Sequence, residues 1–237
     1  MTDIRYDVVA IGNAIVDIIG RCDDAFLMKH GAPKGHMRLV DGPAIDTLYQ
    51  SMGPAIEISG GSAANTMVGI ASFGGKAAFI GKVADDEFGR IFGHDIRAQG
   101  VAFETPRVAG SLPTSRSLIL VTPEGERTMS TFLGISTHLD HGEVDPGRVA
   151  ASRIIYLEGY LFDRPQAKAA FHQAAQFARE AGRLVALTLS DPFCVERHRE
   201  EFKALIAERA DIVFANENEL KSLYQVGSVE TAIDLAA

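Results

Sequence analysis

Two cysteines in 237 residues, Cys22 and Cys194, are too few and too far apart for a disulfide framework or a zinc site. Their scarcity fits a reducing compartment. No stretch approaches the roughly 20 apolar residues that a membrane span needs. Residues 1–7 lack the basic-then-apolar pattern of a secretory leader. Together these absences predict a cytoplasmic protein. Positive charge is short as well: Lys+Arg is 23 against 31 Asp+Glu, a net charge of -8. So acidic a surface repels nucleic-acid backbones and anionic lipid, so neither is an expected partner, and the same charge serves solubility. There is no run of like charge long enough to be a tail, no internal repeat and no low-complexity linker. A G-x-G-x-x-G fingerprint is missing after the first apolar run, which argues against a dinucleotide-binding dehydrogenase.

What is present is 46% apolar residues arranged in a β-α alternation. Residues 8–12, 77–81, 154–157, 184–189 and 211–215 read as short buried strands. Residues 63–73, 85–99, 165–181, 195–209 and 217–224 read as helices. Gly100 and Gly182 stand where left-handed caps are needed, and Pro165 sits in a first turn. Repeated β-α units imply a mainly parallel sheet covered on both faces. Residues 117–121 and 128–132 flank a Pro-x-Gly stretch, which is a hairpin signal. With the extended piece 36–40 they predict a small antiparallel sheet set apart from the main one. The last residues, 231–237, are helix-like without a cap, so further β-α units are expected.

Ligands of open α/β sheets bind at the carboxyl ends of strands, and four such ends carry polar groups here. In Gly12-Asn13-Ala14-Ile15-Val16-Asp17 the carboxylate could accept two hydroxyls of a vicinal diol; the same spacing suits a turn asparagine and a solvated aspartate. In Ser59-Gly60-Gly61-Ser62-Ala63-Ala64-Asn65 paired glycines open a helix and permit close ligand approach. Asn65 is a poor helix former one turn in, which points to a task or to a simple tight turn. Ser190 and Asp191 end a strand and would face a nucleotide or cap the next helix. Asn216 with Glu219 three residues on is a capping box that could also stand near hydrated Mg²⁺ and phosphate. His138-Leu139-Asp140-His141-Gly142-Glu143 has metal-ligand residue types without standard spacing. Cys194 has no histidine arrangement to make it a nucleophile.

Gly60-Gly61-Ser62-Ala63-Ala64-Asn65, Gly74-Gly75 and the run from Phe79 to Gly89 resemble the N-terminal signature of the PfkB, or ribokinase-like, carbohydrate and nucleoside kinases. Gly12 to Asp17 is similar to the family's first-strand motif, and Asn216-Glu217-Asn218-Glu219 to its N-x-x-E motif. The likeness spans residues 1–237 in order. It implies a Rossmann-like sheet with a β lid drawn from about 14–45 and 103–135. It implies ATP-dependent phosphorylation of a hydroxymethyl group, with ATP and Mg²⁺ as cofactors. Asn13, Asp17, Gly60, Gly61, Ser62 and Asn65 would hold the acceptor's hydroxyls. Ser190, Asn216 and Glu219 would serve the nucleotide, the last two ordering Mg²⁺ through water. Residues 127–134 resemble the lid strand of the adenosine kinase branch, where Met129, Thr131 and Leu133 would share one face against a purine. Arg127 would approach the transferring phosphate, or be a solvated hairpin charge. Lids of the family often pair between subunits, which implies a homodimer. A kinase for ribose, fructose or a keto-deoxy sugar stays open, as does a non-catalytic nucleoside- or sugar-binding protein. Ala84 and Met67 depart mildly from the signature. The family's second signature, a Gly-Ala-Gly-Asp loop carrying the catalytic aspartate, appears nowhere in these residues, so this chain alone is expected to lack kinase activity.

Overall fold

The computed structural model describes residues 3–110 and 112–236. Strand β1 (Tyr6–Ile11) turns through residues 12–14 into β2 (Ile15–Arg21), followed by α1 (Asp24–Lys29), β3 (Met37–Leu39), α2 (Gly42–Ser51) and β4 (Ala55–Gly60). The β-α rhythm then sets in with α3 (Ser62–Ser72), β5 (Ala77–Ile80), α4 (Glu87–Ala98) and β6 (Val101–Phe103). A hairpin of β7 (Ser115–Val121) and β8 (Arg127–Phe132) interrupts it. Two 3₁₀ turns and α5 (Pro146–Ala150) lead to β9 (Ser152–Glu158), α6 (Pro165–Glu180), β10 (Leu184–Thr188), α7 (Pro192–Glu208), β11 (Ile212–Phe214), α8 (Glu217–Tyr224) and α9 (Val229–Ala236).

The expected parallel sheet is there, in the order β11-β10-β9-β1-β5-β6. Its punctuation follows the sequence. Gly100 and Gly182 take φ of +85° and +67° after α4 and α6. Asp86 caps α4 by accepting from the Gly89 amide at 2.8 Å, and Asp191 caps α7 through the Cys194 amide at 2.7 Å. From β1 the chain builds outward through β5 and β6 on one side and through β9, β10 and β11 on the other. The crevice between the carboxyl ends of β1 and β9 is therefore the switch point where ligands bind in such sheets.

The second sheet differs from expectation in two ways. It is mixed rather than antiparallel: β2 runs parallel to β7, and β3 parallel to β8, while β4 and the hairpin pair antiparallel. It is also not set apart. Val16, Ile18, Leu118 and Leu120 on its inner face share one apolar core with Ala10 and Phe79 of the main sheet and Met67, Phe92 and Ile96 of the helices. The reason is local: only three residues separate β1 from β2, so β2 cannot travel far before its alternate side chains need cover. A second core fills the other face of the main sheet beneath α5, α6 and α7.

Candidate functional site

The crevice beyond β1 and β9 is organised by a carboxylate that the sequence reading passed over. Glu158 ends β9 and is 1% exposed. Its Oε2 accepts from the Asn13 amide at 2.6 Å and from Asn13 Nδ2 at 3.1 Å, and its Oε1 accepts from the Ala63 amide at 3.1 Å. One buried carboxylate thus joins the β1–β2 turn to the first turn of α3. Burial pushes Glu158 up to about 6 even though these three N–H donors favour its ionised form. Gly12 makes the approach feasible, since a Cβ there would sit 2.6 Å from Ala63 Cβ and 2.8 Å from Glu158 Oε2.

Asn13, 3% exposed, is engaged within the protein. Besides the two bonds to Glu158, its Oδ1 accepts from Ser136 Oγ at 2.8 Å. Ser136 lies in the 3₁₀ turn after β8, so the turn after β1 is tied to the end of the smaller sheet.

Asp17 lies inside β2 and is half-buried. A Cβ on Gly60 would fall 2.2 Å from Asp17 Oδ2, so glycine at 60 makes the room for this carboxylate. No hydrogen-bond partner for it is found among the described residues, and burial pushes it up to about 6. A partly desolvated, unpartnered carboxylate is costly to keep and suits a ligand's donors. Gly61 follows with φ of +99°, and a Cβ there would meet the Asn13 carbonyl at 2.4 Å. Both backbone and space demand glycine, so Gly61→Ala should lower stability by about 2–4 kcal/mol, read from urea denaturation midpoints. The N-cap residue of α3 is Gly61, which has no side chain to cap with, and Ser62 and Asn65 stand exposed in the first turn.

Strand register places more residues beside Asp17. Asp17 pairs with Ser117, Ser117 with Thr131, and Thr131 with Leu39, so these four point to one face. Ser117 and Thr131 hydroxyls lie 2.8 Å apart. The next row on that face is Ile19, Ile119, Met129 and Met37. Met37, Leu39 and Ile56 are the exposed apolar side chains there, so the face is largely apolar around one carboxylate. Leu133 does not continue it. Strand β8 stops at Phe132 and Leu133 takes a helical conformation (φ −78°, ψ −17°) at the head of a 3₁₀ turn. The period-two expectation runs one residue too far because Gly134, with φ of +43°, turns the chain. Arg127 is exposed at the opposite end of β8, four residues or about 13 Å along the strand from Thr131.

Beyond β10, Ser190 has a left-handed backbone (φ 73°), and its Oγ accepts from the Tyr160 amide at 3.2 Å. Beyond β11, Asn216 and Glu219 form the expected capping box. Glu219 Oε2 accepts from the Asn216 amide at 3.0 Å and Oε1 from Asn216 Nδ2 at 2.7 Å. The His138–Glu143 stretch serves a turn: Asp140 and Glu143 form a capping box and pair with Lys82 Nζ at 3.4 and 2.8 Å. Cys194 is buried, donates to the Gly159 carbonyl at 3.2 Å, and is pushed up to about 12 by burial, which leaves it unreactive.

Residues 57–237 match the family model described as pfkB family carbohydrate kinase. The chain belongs to this family. It is 28% identical over 202 residues to a fructokinase of Oryza sativa, covering 83% of this chain and 62% of that protein. It is 32% identical over 166 residues to an ATP-dependent ribose-1-phosphate kinase of Halopiger xanaduensis, covering 70% and 52%. The chain thus spans about half to two thirds of the curated relatives it matches. Among solved structures, an adenosine kinase from Sinorhizobium meliloti superposes with a TM-score of 0.88 and 52% identity, covering 98% of this chain and 71% of that one. A probable sugar kinase from Rhizobium etli superposes at 0.89 with 49% identity, covering 100% and 72%. The fold is thus that of the ribokinase-like kinases, a nucleoside or sugar kinase lineage. Among the described residues no helix is long and apolar enough to cross a membrane.

Proposed function

We propose that this chain carries the acceptor site of an ATP-dependent kinase that phosphorylates the hydroxymethyl group of a nucleoside, with adenosine as the acceptor. The observation that carries the reading is Asp17, an unpartnered and partly desolvated carboxylate set over Gly60 in a largely apolar face. Its two oxygens suit the 2′- and 3′-hydroxyls of a ribose, and Asn65, exposed in the first turn of the helix that Gly60 and Gly61 lead into, would add amide donors and an acceptor. Met129, Thr131 and Leu39 then offer a mainly apolar surface to a purine. The 52% identity to an adenosine kinase supports the same branch.

Asn13 and Glu158 act as a brace in this reading: they fix the turn and the helix end on which Asp17, Gly61 and Asn65 depend. In-line phosphoryl transfer asks the protein mainly for positioning and charge stabilisation. ATP supplies the phosphoryl group. Magnesium fits Asn216 and Glu219 only through water. Both Glu219 oxygens already accept from Asn216, and no group of three or more His, Cys, Asp or Glu is placed to hold a metal among the described residues. The smaller sheet would close over the acceptor and exclude water.

A sugar acceptor is the second reading, favoured by the fructokinase and ribose-1-phosphate kinase relatives. Calorimetric titration separates them: adenosine should bind, with fructose and ribose at least tenfold weaker for want of the apolar contact. Asn65→Ala should weaken adenosine about tenfold and leave the unfolding midpoint unchanged, because the side chain is exposed. Tighter binding of fructose than of adenosine would overturn the nucleoside reading.

A further inference from the structure

A chain of buried polar groups crosses from the root of the β7–β8 hairpin to the turn after β1. Ser115 opens β7, Leu133 follows β8, and Ser136 lies in the 3₁₀ turn beyond, so both stems of the hairpin meet here. The Ile135 amide donates to the Pro113 carbonyl at 3.0 Å, which closes the root. Ser115 and Ser136 are both fully buried.

A hydroxyl has one proton to give, and Ser136 Oγ lies 2.8 Å from two acceptors, the Leu133 carbonyl and Asn13 Oδ1. The Leu133 carbonyl is already served. It accepts from Ser115 Oγ and from the Ser136 amide at 3.2 Å, which fills its two lone pairs. Asn13 Oδ1 has no other donor among the described residues. The Ser136 proton therefore goes to Asn13. A serine that merely finished its own turn would bond the Leu133 carbonyl alone.

That proton settles the amide. With Oδ1 held by Ser136, Nδ2 faces Glu158 and donates at 3.1 Å, beside the Asn13 backbone amide at 2.6 Å. Turned over, the amide would set Oδ1 against a carboxylate. The other oxygen of Glu158 accepts from the Ala63 amide at 3.1 Å, in the same turn of α3 as Asn65. The Asn65 amide in turn bonds the Gly61 carbonyl at 2.9 Å.

We propose that Ser136 is a positioning residue for the acceptor: its proton locks the Asn13 amide with Nδ2 on Glu158, and through Glu158 it sets the first turn of α3 on which Asn65 stands. This deepens the nucleoside reading above and rests on it for the ligand. Hydrogen bonds in a chain polarise one another, so the Ser136 proton strengthens the Nδ2 donor and favours the charged form of Glu158. Glu158 meets no charged partner among the described residues. Tyr156, Tyr160 and Cys194 are the titratable groups that feel its charge, and burial pushes all three upward, so they stay neutral near pH 6.

The test is a carboxyl-carbon NMR titration of Glu158 in the 237-residue protein, with its signal assigned by its loss in Glu158→Gln, alongside calorimetric titration with adenosine. Ser136→Ala should move the Glu158 midpoint from about 6 to about 7, shift the Asn65 amide signal and weaken adenosine about tenfold. Ser136→Thr keeps the donor and should hold the midpoint near 6, even where its added methyl lowers stability. Ser115→Ala touches neither Asn13 nor Glu158, yet should move the midpoint the same way by less, because the Leu133 carbonyl then draws the Ser136 proton. An unmoved midpoint in Ser136→Ala overturns the proposal, whether or not that variant is less stable. So does a moved midpoint with adenosine affinity unchanged. If the wild-type protein fails to bind adenosine, the nucleoside reading falls, and the Glu158 midpoint with the Asn65 amide signal still decides whether Ser136 positions the crevice.

Discussion

Asp17→Asn will make the protein more stable at pH 7 while weakening its grip on adenosine about 100-fold. The stability half follows from linkage. Burial lifts Asp17 from its ordinary 3.8 to about 6. A carboxyl raised in the folded state contributes its full relative stability below pH 3.8 and loses it as the pH climbs through about 6. At pH 7 the charged group is therefore a burden on the order of 2 kcal/mol, discounted for its partial exposure. Asparagine fills the same space without the charge, so the midpoint of thermal unfolding should rise by several degrees at pH 7 and by roughly half as much at pH 5. The binding half follows from losing charge-assisted hydrogen bonds to a diol. Wild-type affinity should itself fall as the pH drops below about 6. Calorimetry and thermal unfolding at the two pH values check both halves. Retention of adenosine binding by Asp17→Asn would remove this carboxylate from the acceptor site.

Glu158→Ala should be the most damaging single substitution in the crevice. It strips the acceptor from three buried donors, the amides of Asn13 and Ala63 and the side chain of Asn13. Each orphaned donor costs about 1–3 kcal/mol, so a loss of about 3–5 kcal/mol is expected, enough to threaten folding. Glu158→Gln is the informative companion. Its amide oxygen can still serve Asn13, but its NH₂ would face the Ala63 N–H, donor against donor. A loss of about 1–3 kcal/mol is expected, with adenosine affinity reduced by more than the stability change because the α3 N-terminus shifts under Asn65. Urea denaturation and binding titration read the two effects. Equal behaviour of the Glu158→Gln variant and the wild-type protein in both would show that the carboxylate is not the brace. Burial raises Glu158, like Asp17, to about 6, but here it does so against three stabilising donors.

Much of this architecture is legible in the chain before any coordinates. Gly100, Gly182, Pro165, Asp191 and the Asn216–Glu219 pair announce helix boundaries because caps are local chemistry, written in residues adjacent to the event. The buried strands β1, β5, β9 and β10 announce themselves as short apolar runs. What escapes is long-range or weakly periodic. Strand β4 reads Ala55-Ile56-Glu57-Ile58-Ser59-Gly60, an alternation overshadowed by the glycine pair that follows it. Strand β2 hides because Asp17 reads as a ligand rather than as the outward residue of a strand. The mixed direction of the smaller sheet depends on which strands meet, and single-strand patterns carry no such information. Glu158 escapes for a different reason. Its three partners come from positions 95 and 145 residues away, although a charged residue ending an otherwise apolar run at a strand's carboxyl end is a signal in plain view. Leu133 marks the limit of period-two reasoning: the alternation is blind to a following glycine that ends the strand.

The core shared between the smaller sheet and α3 and α4 governs how that sheet can move. A door hung on two loops would swing as a plate, but this one is nailed along its inner face through Val16, Ile18, Leu118 and Leu120. Displacement must therefore grow outward, from near zero at β2 to its greatest at the short outer strand β3, as a leaf bends from its stalk. Amide exchange should grade in the same direction, slowest at Val16 and fastest at Met37 and Leu39, with flexing of the rim opening and shutting the crevice.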